Sequence, residues 1–155
     1  MFEIGDKVMY PMHGAGVIVG TERKEILGEV REYYVLQVTK KNIKVLLPVD
    51  NLENTGLRSI VSEKEADEAI DFFAQVEEDD NPNWNKRYRD NMDRLKSGQI
   101  KEVCYVVKTL LLRDKKKALS NAERKVLSNA KSVLLSELET AKNITAPEAE
   151  KLLGI

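Results

Sequence analysis

Cysteine and histidine are almost missing from this chain of 155 residues, which holds one of each, Cys104 and His13. A lone cysteine excludes an intrachain disulfide, and a lone histidine with no Cys beside it excludes a zinc site of the usual kind. Aromatic residues make up only 6% of the chain and include a single tryptophan, Trp84. No apolar run nears the ~20 residues that a membrane-spanning helix requires. Phosphate-binding loops of the GxxxxGK[ST] or GxGxxG type are absent, and the glycines of His13-Gly14-Ala15-Gly16 read as a turn. No nucleophile–base pair can be assembled, so neither an enzyme, a cofactor, a metal nor a small-molecule substrate is expected. The opening Met1-Phe2-Glu3-Ile4-Gly5-Asp6 lacks the basic and then apolar stretches of a secretory signal. A cytoplasmic location is the expectation.

What the chain does have is charge, unevenly placed. Charged residues are 33% of the sequence and nearly cancel, to a net −1. Residues 1–80 carry 9 Lys+Arg against 17 Asp+Glu, whereas residues 81–155 carry 16 against 9. Such a split suggests different partners for the two halves, with the basic one suited to nucleic acid. Two ordinary solvated faces would give the same count.

The acidic half reads as strands. Val8 and Tyr10 alternate on one face, Val17-Ile18-Val19 runs on to Ile26, and Glu32 to Val38 is rich in aromatic and β-branched residues. Leu27-Gly28-Glu29 and Lys40-Lys41-Asn42 supply turns, Ile43 to Pro48 a further strand, and Leu57 to Ile60 a closing one. Short strands and tight turns over residues 1–60 predict a small, strongly bent sheet or SH3-like barrel. Such sheets bind proteins by lending an edge, for which Glu22 to Lys24 and Lys41 to Lys44 are candidates. His13 and Cys104 are expected to pack, not to react.

Residues 61–155 read as a compact five-helix bundle, so the fold class is α+β. Ser62-Glu63-Lys64-Glu65, Ser120-Asn121-Ala122-Glu123 and Thr145-Ala146-Pro147-Glu148 each have the capping-box pattern. Apolar stripes follow at helical spacing, for example Ile100, Val103, Cys104, Val107 and Leu111. Between them, Asn81-Pro82-Asn83-Trp84 opens a helix just after the acidic run Glu77 to Asp80, and Ser97-Gly98 ends it. Trp84 shares a face with Tyr88, Met92 and Leu95, as a core residue would. It is also ringed by Lys86, Arg87 and Arg89, as a wedge aimed at a polyanion would be.

The order of these features resembles the CarD/CdnL family of bacterial transcription regulators. The resemblance rests on Gly5-Asp6-Lys7-Val8-Met9-Tyr10-Pro11-Met12-His13-Gly14, Glu32-Tyr33-Tyr34-Val35-Leu36 and Val45-Leu46-Leu47-Pro48. It continues through Asn83-Trp84-Asn85-Lys86-Arg87-Tyr88, Leu95-Lys96-Ser97-Gly98 and Leu119-Ser120-Asn121-Ala122-Glu123-Arg124. The first of these motifs is similar also to the polymerase-interacting domain of the transcription-repair coupling factor; the Trp-containing half separates the two. The resemblance implies a Tudor-like domain that binds the RNA polymerase β subunit, and nucleoid association through the polymerase. It further implies a helical domain on promoter DNA, with Trp84 wedged in the minor groove at the upstream bubble edge to stabilise the open complex. Lys86, Arg87, Arg89, Arg124 and Lys125 would hold phosphates. Lys24, Ile26, Lys44 and Leu46 would face the polymerase, with Leu46 standing where the family often has a basic residue. The alternative is a protein-binding module whose helices are scaffold without DNA contact.

Overall fold

A computed structural model describes residues 2–155. Five strands, β1 (Lys7–Tyr10), β2 (Gly14–Ile26), β3 (Glu29–Val38), β4 (Ile43–Pro48) and β5 (Arg58–Ser59), form one antiparallel sheet in the order β4-β3-β2-β1-β5. Alternation places Val8, Ile18, Tyr34, Leu36, Val38 and Leu47 on the inner side of the bend, where they form a small core. A bulge between Ile18 and Gly20 interrupts the β2–β3 register, and bulges of this kind bend a strand. The β2–β3 turn is Leu27-Gly28, both with positive φ (52° and 80°), as a two-residue hairpin turn requires.

The β2–β3 hairpin outruns its neighbours. Of this hairpin, β1 pairs with only Gly14 to Val17 and β4 with only Tyr33 to Val38. Residues 21–32 are therefore a two-stranded arm, exposed throughout. Glu22 to Lys24, expected as an edge, is paired with β3 on one side only and sits on this arm. Between β4 and β5 lies a 3-10 segment, Val49–Thr55, kinked at Asn51. The sequence reading has only a connection there, because a single short turn shows no periodicity.

Five α-helices follow: α1 (Glu63–Gln75), α2 (Trp84–Lys96), α3 (Ile100–Lys116), α4 (Asn121–Lys142) and α5 (Ala146–Leu153). The Ser62 and Thr145 boxes close in both directions. The Ser120 box closes in one direction only: Ser120 accepts from the Glu123 N–H at 3.2 Å, but the Glu123 side chain turns away to Arg87. Ala66, Ala69 and Phe73 of α1, Val103, Cys104 and Val107 of α3, and Ala130, Leu134 and Leu138 of α4 make the main core. Cys104 is fully buried there, and burial pushes its thiol up to about 12.

Met9 and Ala15 of the sheet belong to this helical core, so the two halves share one interior. Polar contacts reinforce the seam. The Ala15 N–H donates to Ser136 Oγ at 3.0 Å and Asn129 Nδ2 donates to the Met12 carbonyl at 3.1 Å. Arg58 of β5 makes a two-pronged pair with Glu137 of α4 at 2.6 and 2.7 Å. The Val61 N–H also donates to Glu137, at 3.0 Å.

Candidate nucleic-acid interface

The chain enters α2 through a short staircase of side-chain turns. Asp79 Oδ1 accepts from the Asn81 N–H at 3.0 Å, Asn81 Oδ1 from the Asn83 N–H at 2.9 Å, and Asn83 Oδ1 from the Lys86 N–H at 3.1 Å. Asn and Asp suit this role because their short side chains reach backbone donors two or three residues on. Two arginines fasten the connector: Arg113 Nη2 donates to the Asp79 carbonyl at 2.7 Å, and Arg87 Nη1 to the Asn81 carbonyl at 2.8 Å. The first residue of α2 is thereby held in place. That residue is Trp84.

Trp84 is 42% exposed, although it continues the stripe of Tyr88, Met92 and Leu95. The stripe grades outward: Leu95 is buried, Met92 and Tyr88 are half-buried against the core, and Trp84 projects beyond it. Tyr88 lies parallel to the indole, ring centroids 5.7 Å apart at 4°, and so backs one of its faces. The indole Nε1 is 3.5 Å from Ser120 Oγ, at the start of α4. The expectation of a core tryptophan is therefore not met: the stripe enters the core at Leu95, and its Trp84 end stays outside.

Arg87 departs from its expected role as a phosphate contact. Only 7% exposed, it faces inward with Asn91 and Leu95, and its guanidinium pairs with the buried Glu123 at 3.4 Å. Those positions repeat every four residues along α2 and form its true inner row, which turns Arg87 towards α4. The Arg87–Glu123 pair brings the starts of α2 and α4 together. Lys86 and Arg89 are exposed on the first, and Arg124 and Lys125 on the second. Lys86 has a loose i,i+4 pair with Asp90 at 3.9 Å, and Arg124 a loose pair with Asp114 of α3 at 3.8 Å. Arg89 and Lys125 have no ion pair among the described residues. Weak, exposed pairs of this sort exchange readily for phosphate oxygens. Sequence reading gives Ser120 only the role of a cap and Arg113 none; the basic run Arg113 to Lys117 at the end of α3 is the signal for the latter.

The four candidate polymerase residues do not gather in one spot. Lys24 and Ile26 lie on the hairpin arm, Ile26 half exposed beside the turn. Lys44 is exposed on β4, while Leu46 is half-buried opposite Val35. Lys24 pairs with Arg31 and Lys44 with Gln37, which separates them by roughly 20 Å along β3. A partner touching both must be broad. His13, by contrast, packs in its turn, stacked on Tyr10 at 4.5 Å, and burial and the Lys41 charge lower its pKa.

Comparison with known proteins follows the same division of the chain. Residues 2–61 match the family described as CarD-like/TRCF RID domain, and residues 68–154 match the CarD C-terminal domain. The putative transcription factor YdeB of Bacillus subtilis is 39% identical over 145 residues, 94% of this chain and 95% of its own. Among solved structures, the N-terminal domain of Myxococcus xanthus CarD covers 38% of this chain and 79% of its own, with 22% identity and a TM-score of 0.33. CdnLNt from the same organism covers 40% and 87%, with 34% identity and a TM-score of 0.35. With both domain models matched in order and a relative aligned along nearly its whole length, this chain belongs to the CarD family of bacterial transcription regulators.

Proposed function

We propose that this protein is a non-catalytic bridge between the RNA polymerase β subunit and promoter DNA, stabilising the open complex through Trp84. The observation that carries this reading is the exposed indole at the start of α2, backed by Tyr88 and set between two basic helix starts. An apolar wedge at a base step offsets the cost of unstacking by its own stacking and by the extra protein surface that the bent DNA meets. Lys86, Arg89, Arg124 and Lys125 hold phosphates on either side without reading sequence, and Arg87 positions the wedge from beneath. The N-terminal sheet supplies the polymerase contact, through Lys24 and Ile26 on the arm and Lys44 and Leu46 on β4. Tethered to the polymerase, the helical half needs only weak affinity for DNA of its own.

The test is the lifetime of the open promoter complex with the cognate polymerase, with wild type, Trp84→Ala or no protein. Wild type is expected to lengthen it and Trp84→Ala to forfeit about tenfold, the equivalent of about 1.4 kcal/mol of stacking. Polymerase binding should be equal for the two proteins. A mutant as active as wild type would remove the wedge, and no effect of either protein would leave the helices as scaffold.

A further inference from the structure

Beside Trp84, between the start of α2 and the α3–α4 connection, lies a cleft of about 510 Å3. That is within the roughly 300–1,000 Å3 of sites that take small organic ligands. We propose that this cleft receives a single unpaired nucleobase of the DNA that Trp84 opens. The inference rests on the DNA-binding reading above and extends it from a wedge to a wedge with a receptor.

Three features of the cleft match a base. Trp84 forms one wall, and since Tyr88 covers one face of the indole, whatever stacks on it uses the other. Every base presents a π-face, so such a wall takes any of them. The Arg87–Glu123 pair also lines the cleft. Both residues are over nine-tenths buried, and each keeps one polar atom, Arg87 Nε and Glu123 Oε2, without a partner among the described residues. Buried polar atoms in native proteins nearly always find partners. Both atoms are closed off in the fold as it stands, so a ligand engages them by turning the two side chains toward the cleft, which the free polar edge of an unpaired base can reward and the edge of a paired base cannot. Finally, Arg113 and Lys117 stand at the cleft as well, two cations for the phosphate that accompanies an extruded base. A purely apolar ligand would waste the buried pair, and a bare anion would waste the indole.

The experiment compares the full-length protein on three otherwise identical DNA duplexes: fully paired, with one extra unpaired nucleotide, and with an abasic sugar at that extra position. The abasic duplex has the same backbone kink and charge but no base. Tighter binding of the base bulge over the abasic one, by about tenfold, with selective quenching of the single tryptophan, is the expected result. Ala118 lines the cleft and is exposed, so Ala118→Phe places a bulky ring in its mouth and should abolish the preference while retaining affinity for the abasic duplex. Equal affinity and equal quenching for base and abasic bulges would overturn the receptor, as would an Ala118→Phe protein of normal melting temperature that keeps the preference. The quenching comparison decides the matter should that variant fail to fold. Absence of binding to all three duplexes even at low ionic strength, where weak phosphate contacts register, would instead strike the DNA reading itself, and the receptor with it.

Discussion

A cation in a sequence says nothing about whether it is offered to a partner or spent inside, and Arg87 shows the difference. Lys86, Arg87 and Arg89 look alike in the run after Trp84, yet Arg87 alone is ion-paired to a buried carboxylate. Removing one member of a buried pair strands the other charge, so Arg87→Ala should lower stability by about 3 kcal/mol in urea unfolding. Lys86→Ala and Arg89→Ala, on exposed side chains, should lie within about 0.5 kcal/mol of wild type. His13 makes a separate prediction. Its pKa is lowered in the fold by burial and by Lys41, so the unfolded chain takes up a proton more readily. The associated stability is complete above the unfolded value near 6.5 and declines as pH falls. The melting temperature should therefore drop between pH 7.5 and 5.5, and His13→Gln should flatten that slope.

Helices and strands were the most legible part of the chain, since their signals are local. Ser62, Asn83, Ser120 and Thr145 each cap a helix with the side-chain oxygen that the sequence assigns to them. Gly98 ends α2 with φ +71° as expected, but it has a second duty that no local pattern carries. A Cβ there would lie 2.7 Å from Pro11 Cγ in the turn after β1. Gly98→Ala should consequently cost about 2 kcal/mol, from the left-handed backbone and the displaced proline together, measured by thermal unfolding. The Ser120 box went half-realised for a comparable reason: Glu123 has a cation across the cleft as well as a backbone donor at home, and the buried cation wins.

At the level of the whole molecule, the joint between the sheet and the bundle is what turns two small units into one body. Met9 and Ala15 enter the helical core, and Arg58 crosses to Glu137, a residue only 2% exposed. Breaking that cross-link with Glu137→Ala should uncouple the halves. Calorimetry should then show two unfolding transitions where wild type shows one, with a loss of about 3 kcal/mol. For the bridge proposed above a rigid joint would matter, because it keeps the distance from the N-terminal sheet to Trp84 constant. The sequence by itself determined the α+β division, the strand and helix order, the caps and the charge asymmetry, all set by neighbours within a few residues. Only the tertiary structure decided that Trp84 projects while Arg87 is buried, that residues 21–32 stand out as an arm, and that a cleft opens beside the indole. Those outcomes depend on which helix meets which, and side chains far apart in sequence compete for the same buried space.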